Sequence, residues 1–434
     1  MSLLIRNGRV IDPANGLDGP ADVLIVDGLV SRVGPRLEAP AGTATIDAGG
    51  RVVAPGFIDI HVHLREPGYE YKETVATGTR AAAAGGFTAV AAMANTSPVN
   101  DTRAVTDYVL AEARARGAVR VYPIGAVTRG LKGAELAELG ELAEAGCVAY
   151  SDDGRPVVSS ALLRRALEYA QAFGKPIISH AEEVTLAEGG VMHEGFVSTD
   201  LGLRGIPAAA EEIMVARDVA LAELTGTRVH IAHVSTAAAV RLLREAKARG
   251  VPVTGEVTPH HLLLTDETMR RYDANAKMAP PLRSKRDVEA CREALADGTL
   301  DAIATDHAPH ALSDKEVELE HAANGIVGLE TAVALCLTHL VRERVLDLPT
   351  LVARLTVGPA RVLELPGGSL RPGGPGDVTI LDLEREHVID PARFHSKGRN
   401  TPFGEWRCVG APWMTVVAGR VVMQEGRVTG GPAS

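Results

Sequence analysis

The stretch GFIDIHVHLREPG, residues 56–68, puts His61 and His63 one residue apart inside an apolar run. Side chains on a strand alternate faces. Asp59, His61 and His63 therefore share one face, and Ile58, Ile60 and Val62 share the other. The apolar face can pack on helices while the imidazoles point into a barrel mouth. Two strand rises separate the histidines by about 6–7 Å at the backbone. Both rings can then reach one metal ion at about 2.0–2.1 Å. Arg65, next on the same face, is a planar two-pronged donor suited to a carboxylate.

Other groups of this kind close other apolar runs. His180 ends KPIISHAE, His233 lies in TRVHIAHVST, Asn95 ends FTAVAAMAN, and Asp306 and His310 lie in LDAIATDHAPH. Imidazole with carboxylate suits zinc first, then manganese, cobalt or iron. A carboxylate such as Asp306 can ligate with one oxygen and handle a proton with the other, as general base and later general acid. CVAYSDD ends in Asp152 and Asp153, which face opposite ways. Periodicity does not choose between them, and Asp-Asp-Gly also reads as a turn. His230, three residues before His233, reads as structural. His260 and His261 end a strand without reading as ligands. His193, His321, His339, His387 and His395 carry no spacing signal.

These residues need a scaffold that collects strand ends. Eight strand-like runs cover 57–64, 87–95, 119–128, 147–153, 175–182, 227–236, 251–262 and 300–310. Helical runs lie at 72–84, 159–172, 208–223, 236–248, 285–296 and 327–342. Alternating β and α predicts parallel strands with right-handed crossovers. Eight such units predict an α/β chain closed as a (β/α)8 TIM-type barrel over 55–364, with its site at the C-terminal strand ends. An open doubly wound sheet is the alternative, but no G-x-G-x-x-G follows a strand. Segments 1–54 and 365–434 read as short strands with turns and predict one small composite β-domain. GGSLRPGGPG (367–376) reads as a linker. Segments 128–139 and 310–325 are loop candidates for a lid.

Composition narrows the classes. Aromatic residues make up 3% of the 434-residue chain, so the core must rest on Ala, Val, Leu and Ile. A net charge of −10 argues against nucleic-acid or anionic-membrane partners. Four scattered cysteines with no CxxC pair point to reduced thiols and a cytoplasmic protein. No run reads as a signal peptide or a membrane span.

The pieces PGFIDIHVHLREPG, AMANTSP, YSDDG, ISHAE, AHVST, VTPHHL, KMAPPLRS, ATDHAPH and GIVGLET together resemble the amidohydrolase superfamily, and within it the bacterial long-chain dihydroorotases. The resemblance implies two metal ions, zinc by preference, with one ion or other divalent metals left open. It implies that His61, His63 and Asp306 bind the first ion and that His180 and His233 bind the second. Many relatives bridge the metals with a carboxylated lysine, which CVAYSDD lacks; the resemblance puts a bridging aspartate at Asp153. The implied reaction is reversible hydrolysis of the cyclic amide of L-dihydroorotate to N-carbamoyl-L-aspartate by metal-bound hydroxide, a step of pyrimidine synthesis. Asp306 would shuttle the proton. Arg65, Asn95 and His310 would hold the substrate carboxylate.

Two departures concern substrate placement. Ala279 in KMAPPLR replaces an asparagine that touches substrate in relatives. Ala323, Asn324 and Gly325 replace Pro-Phe-Gly, which leaves a backbone contact at Asn324 or Gly325. A homodimer and association with aspartate transcarbamoylase are further expectations from the resemblance. Two readings compete: a hydantoinase or allantoinase, and a non-catalytic scaffold for the transcarbamoylase.

Overall fold

The eight expected strands are all present in the structure, a computed structural model that describes residues 2–429. They are Phe57–Val62, Phe87–Ala92, Arg120–Pro123, Tyr150–Ser151, Ile177–Ser179, Val229–Ile231, Val253–Val257 and Ala302–Ile303. The first three form one parallel sheet and the last five another. Parallel bridges at Gly125–Tyr150 and Val62–His307 join the two sheets on both sides. The result is a closed (β/α)8 barrel, and the open sheet is excluded.

The helices follow from local sequence. Thr74, Ser159, Thr236 and Ser284 precede helices Val75–Ala84, Ser160–Gln171, Ala237–Ala248 and Lys285–Asp297. Each accepts a hydrogen bond from a backbone N–H of the first turn. Alanines on the buried faces, among them Ala81, Ala166, Ala239 and Ala294, let the helices close tightly on the strands. This packing explains how so large a core forms with few aromatic rings.

Strand pairing is shorter than the apolar runs predict. CVAYSDD contributes only Tyr150–Ser151 to the ladder, and His63, His180, His233 and Asp306 all lie beyond their strands. Alternation also breaks inside the first strand, whose pairing slips between Phe57 and Ile58 and again between Asp59 and Val62. Ile58 and Ile60 therefore pack in a cluster with Ala89, Ala91, Ile178, Ala232 and Ala302 from other barrel strands. Leu363 of helix Val357–Leu363 joins that cluster. The helix expected at 327–342 begins only at Ala332. The amides of Gly328 and Leu329 instead turn toward His307 Nδ1, at 3.2 and 3.5 Å.

The chain ends share one nine-stranded sheet. Val52–Pro55 runs parallel to Ser2–Asp12 and antiparallel to Val378–Val388, with Val378 opposite Pro55. Val10, Val23, Val53, Ile380 and Val416 form its core. Among the described residues, no helix is long and apolar enough to cross a membrane.

Candidate active site

The strand-end residues converge on one buried cluster. Asp153 lies at its centre: its Oδ1 is 3.4 Å from His61 Nε2 and 3.6 Å from both His180 Nδ1 and His233 Nε2. Its Oδ2 is 3.5 Å from His63 Nε2. Asp306 Oδ1 stands 2.9 Å from His63 Nε2 and 3.4 Å from His61 Nε2. The structure also chooses between the paired aspartates. Asp152 turns away and accepts from the amides of Val127 and Thr128 at 2.8 and 2.9 Å, which ties the third strand's end to the fourth's.

The donor set fits metal ions. Tetrahedral ligands at 2.0–2.1 Å from zinc lie about 3.3 Å from one another. The trio of His180, His233 and Asp153 has edges of 2.8, 3.6 and 3.6 Å, which bracket that value. His61, His63 and Asp153 form a second trio that shares the same carboxylate. His61 Nε2 and Asp153 Oδ1 are buried with no hydrogen-bond partner among the described residues. Buried polar atoms without partners are costly, and a cation between them removes that cost. The protein's own charges point the same way. Burial opposes charge on His180, yet Asp153 and Glu182 outweigh it and push the imidazole up to about 10. Burial likewise opposes charge on His61, and Asp306, Asp153 and Glu256 raise it well above the ordinary range. Four carboxylates that favour protons on two histidines make a pocket that demands positive charge.

Backbone geometry aims these groups. His233, Asp306 and Arg65 have φ of +35°, +48° and +61°. Non-glycine residues in this region cost roughly 1–2 kcal/mol each, and the closed barrel must supply that energy. Strand alternation therefore does not reach Arg65 or His233. Arg65 lands beside His310 because the chain turns there, with Nε donating to Pro309 O at 3.3 Å and a terminal nitrogen 3.5 Å from His310 Nε2.

Several positioning residues escaped the sequence reading. Glu256, buried on the seventh strand, contacts His61 Nδ1 at 2.6 Å and His230 Nε2 at 3.1 Å. Its only sequence signal is a carboxylate inside an apolar run. His230 is structural as expected, but through Glu256 it supports a site residue. Asp59 accepts from the backbone N–H and the hydroxyl of Thr305, at 3.1 and 2.5 Å, and so sets the first strand against the eighth. Lys72 Nζ approaches His310 Nδ1 at 3.3 Å and Asp314 at 3.2 Å.

The expected substrate residues are placed unevenly. Asn95 Oδ1 meets His63 Nδ1 at 2.9 Å and its amide nitrogen donates to Asp153 O at 3.3 Å, so both ends of the amide support the cluster. His310 Nε2 lies 2.9 Å from Asn324 O. Gly325 N donates to Lys277 O at 3.0 Å, which brings 324–325 against the segment that carries Ala279. Ala279 is half-buried and offers only a methyl group. His261 is held by Thr258 Oγ1 and Pro280 O, a structural role. His260 Nε2 is buried without a partner among the described residues.

Comparison with known proteins places this architecture. A family model described as Dihydro-orotase-like matches residues 50–239. A protein named Dihydroorotase from Anaeromyxobacter dehalogenans is 63% identical over 98% of both chains. One of the same name from Pelotomaculum thermopropionicum is 59% identical over 98% of this chain and 99% of its own. Among solved structures, L-hydantoinase (dihydropyrimidinase) from Arthrobacter aurescens superposes with a TM-score of 0.90 at 28% identity, covering 99% of this chain and 98% of that one. Dihydropyrimidinase from Brevibacillus agri NCHU1002 gives 0.87 at 25% identity, with 100% and 97% covered. The fold is thus shared with cyclic-amide hydrolases of several kinds, and identity over nearly the whole length decides among them: the chain belongs to the dihydroorotase family of the amidohydrolase superfamily.

Proposed function

We propose that this protein hydrolyses the cyclic amide of L-dihydroorotate to N-carbamoyl-L-aspartate, reversibly, at the cluster around Asp153. The observation that carries the reading is the shared carboxylate: Asp153 stands within 3.6 Å of a ring nitrogen on each of four histidines. His61, His63 and Asp306 would hold one zinc ion, His180 and His233 a second, with Asp153 common to both. When bound, the ions polarise the amide carbonyl and lower the pKa of water to about 7. An aspartate at this position does without the carboxylated lysine.

The protein's own groups do the rest. Asp306 receives the proton and later returns it to the leaving nitrogen. Its Oδ1 faces His61 and His63, and no donor among the described residues reaches its Oδ2. Burial works against its charge, but His61 and His63 hold it ionised. Arg65 receives the substrate carboxylate. His310 stays neutral beside it: burial, then Arg65, Lys72 and Lys315, bring it down to about 3. With Lys72 donating to Nδ1, the ring proton sits on Nε2 and points at Asn324 O. Asn95 orients His63. The barrel over 55–364 carries all of these groups, and the composite β-domain of 1–54 and 365–434 carries none. The four cysteines are free and buried, which supports a cytoplasmic setting.

The alternative is a hydantoinase, favoured by the superposition on such enzymes. Side-by-side turnover of dihydroorotate and hydantoin by the purified protein, with a metal count, separates the two. Dihydroorotate should be strongly preferred, with two zinc equivalents bound. Preference for hydantoin would end this reading.

A further inference from the structure

Two buried lysines stand under the segment that follows His310. Lys277 and Lys315 are each 5% exposed. Neither forms an ion pair among the described residues. Lys277 Nζ donates to the carbonyls of Leu319, Glu320 and Ala322 at 2.7, 3.2 and 2.8 Å. Lys315 Nζ donates to Ala323 O at 2.7 Å and Gly325 O at 3.1 Å. Five carbonyls of one seven-residue stretch thus turn inward onto two amines. Asn324 O alone in 322–325 turns elsewhere, to His310 Nε2.

Most other backbone groups of 321–325 are paired. Ala323 N donates to Asp314 O, and Gly325 N to Lys277 O. Gly325 O also accepts from Asn400 at 3.0 Å. Gly325, whose φ is +150°, is therefore committed on both sides. A Cβ there would stand 2.7 Å from Ala308 O, so only glycine suits the position. One group remains. The N–H of Asn324 has no acceptor among the described residues, and Asn324 is exposed. Ala323, Asn324 and Gly325 bring neither the stiffness of a proline nor the anchorage of an aromatic ring, so the lysines carry the order of the loop.

We propose that Lys277 and Lys315 are positioning residues that fix residues 319–325 so that the Asn324 N–H is held beside His310 for the substrate. This rests on the dihydroorotase reading and narrows its backbone contact to one donor. Both lysines act through the loop and not on the reacting atoms. Removing either should loosen substrate placement and leave the metal cluster intact.

The test uses the metal-loaded full chain with Lys277→Met, Lys315→Met and Lys315→Gln. Metal content and thermal midpoint establish that each variant is folded. Each methionine variant should raise KM for dihydroorotate about tenfold, with kcat within about threefold, because ground-state and transition-state binding weaken together. Backbone hydrogen exchange over 319–326 should accelerate in both. Lys315→Gln should recover part of the loss, because its amide supplies two N–H donors for two carbonyls. Unchanged exchange overturns the clamp. Accelerated exchange with unchanged KM overturns its link to substrate. Wild-type turnover of dihydroorotate tests the underlying reading separately: if it is absent, that reading fails, and if it is present with KM unmoved in all variants, this inference fails alone.

Discussion

His61, His63, Asp153, His180, His233 and Asp306 stand at the ends of five strands of a closed barrel, whereas Arg65, His310, Asn324 and Gly325 stand on the loops above it. The first set is held by side chains that link one strand to another: Glu256 to His61, Asp59 to Thr305, Asn95 to His63. The second is held by amines and guanidinium groups against backbone carbonyls. One construction fixes side-chain atoms for metal and proton chemistry. The other fixes a surface that must admit a substrate and release a product. Damage to the first should therefore appear in turnover and metal, and damage to the second in KM.

The largest separation is expected from Asp306→Asn. An amide can still ligate but cannot take the proton. Loss of a positioned general base costs about 10²–10⁴-fold. kcat should fall within that range while the metal count stays at the wild-type value. Near wild-type activity would remove Asp306 from the base role; loss of metal would make it chiefly a ligand.

Next comes Glu256→Gln. Partners that orient a ligating histidine typically contribute about 10–100-fold to metal affinity. Titration with a competing chelator should show a loss of that size, with KM unchanged at saturating zinc. Unaltered affinity would mean that Glu256 orients nothing that binds metal. Arg65→Ala belongs to the rim and should act oppositely. Removing a charge-assisted two-pronged contact should raise KM about 10–100-fold with the metal count unchanged. A change confined to kcat would contradict the carboxylate role.

The same division explains what was legible in the sequence. His61, His63, His180, His233 and Asp306 close apolar runs, and a barrel brings such ends together whatever the local detail. Alternation fails at the finer scale because backbone geometry overrides it. The first strand slips register twice, and His233, Asp306 and Arg65 lie in the left-handed region. The choice between Asp152 and Asp153 needed three dimensions, because both are buried: Asp152 accepts from backbone amides, while Asp153 stands among the histidines. Glu256 and Asp59 gave no signal as positioning residues, since their partners His61 and Thr305 lie far away in the sequence. The rim was least legible of all. Its order comes from carbonyls, which every residue carries, and from lysines that resemble any others in a sequence.

The smallest expected effect is a pH dependence confined to that rim. Burial, with Lys277 alongside, pulls the Lys315 amine down to about 7 from 10.5, against the opposing pull of Asp273 and Asp314. Between those values the unfolded chain carries a proton that the folded chain does not, so stability rises with pH across that window. The cost of burying the charged amine is fully present below about pH 7 and fades as pH climbs toward 10.5. The neutral amine has two N–H groups, which match its two carbonyl partners, whereas Lys277 meets three and needs the ammonium form. Hydrogen exchange over 319–326, corrected for intrinsic chemistry, should therefore slow by a few fold between about pH 6.5 and 8.5. Lys315→Met should abolish that slope, and exchange near His61 and Asp153 should show no matching change in the variant. A slope that survives in Lys315→Met would assign it to another group. A slope shared equally by the cluster would mean that barrel and rim respond to pH as one body, against the division drawn between them.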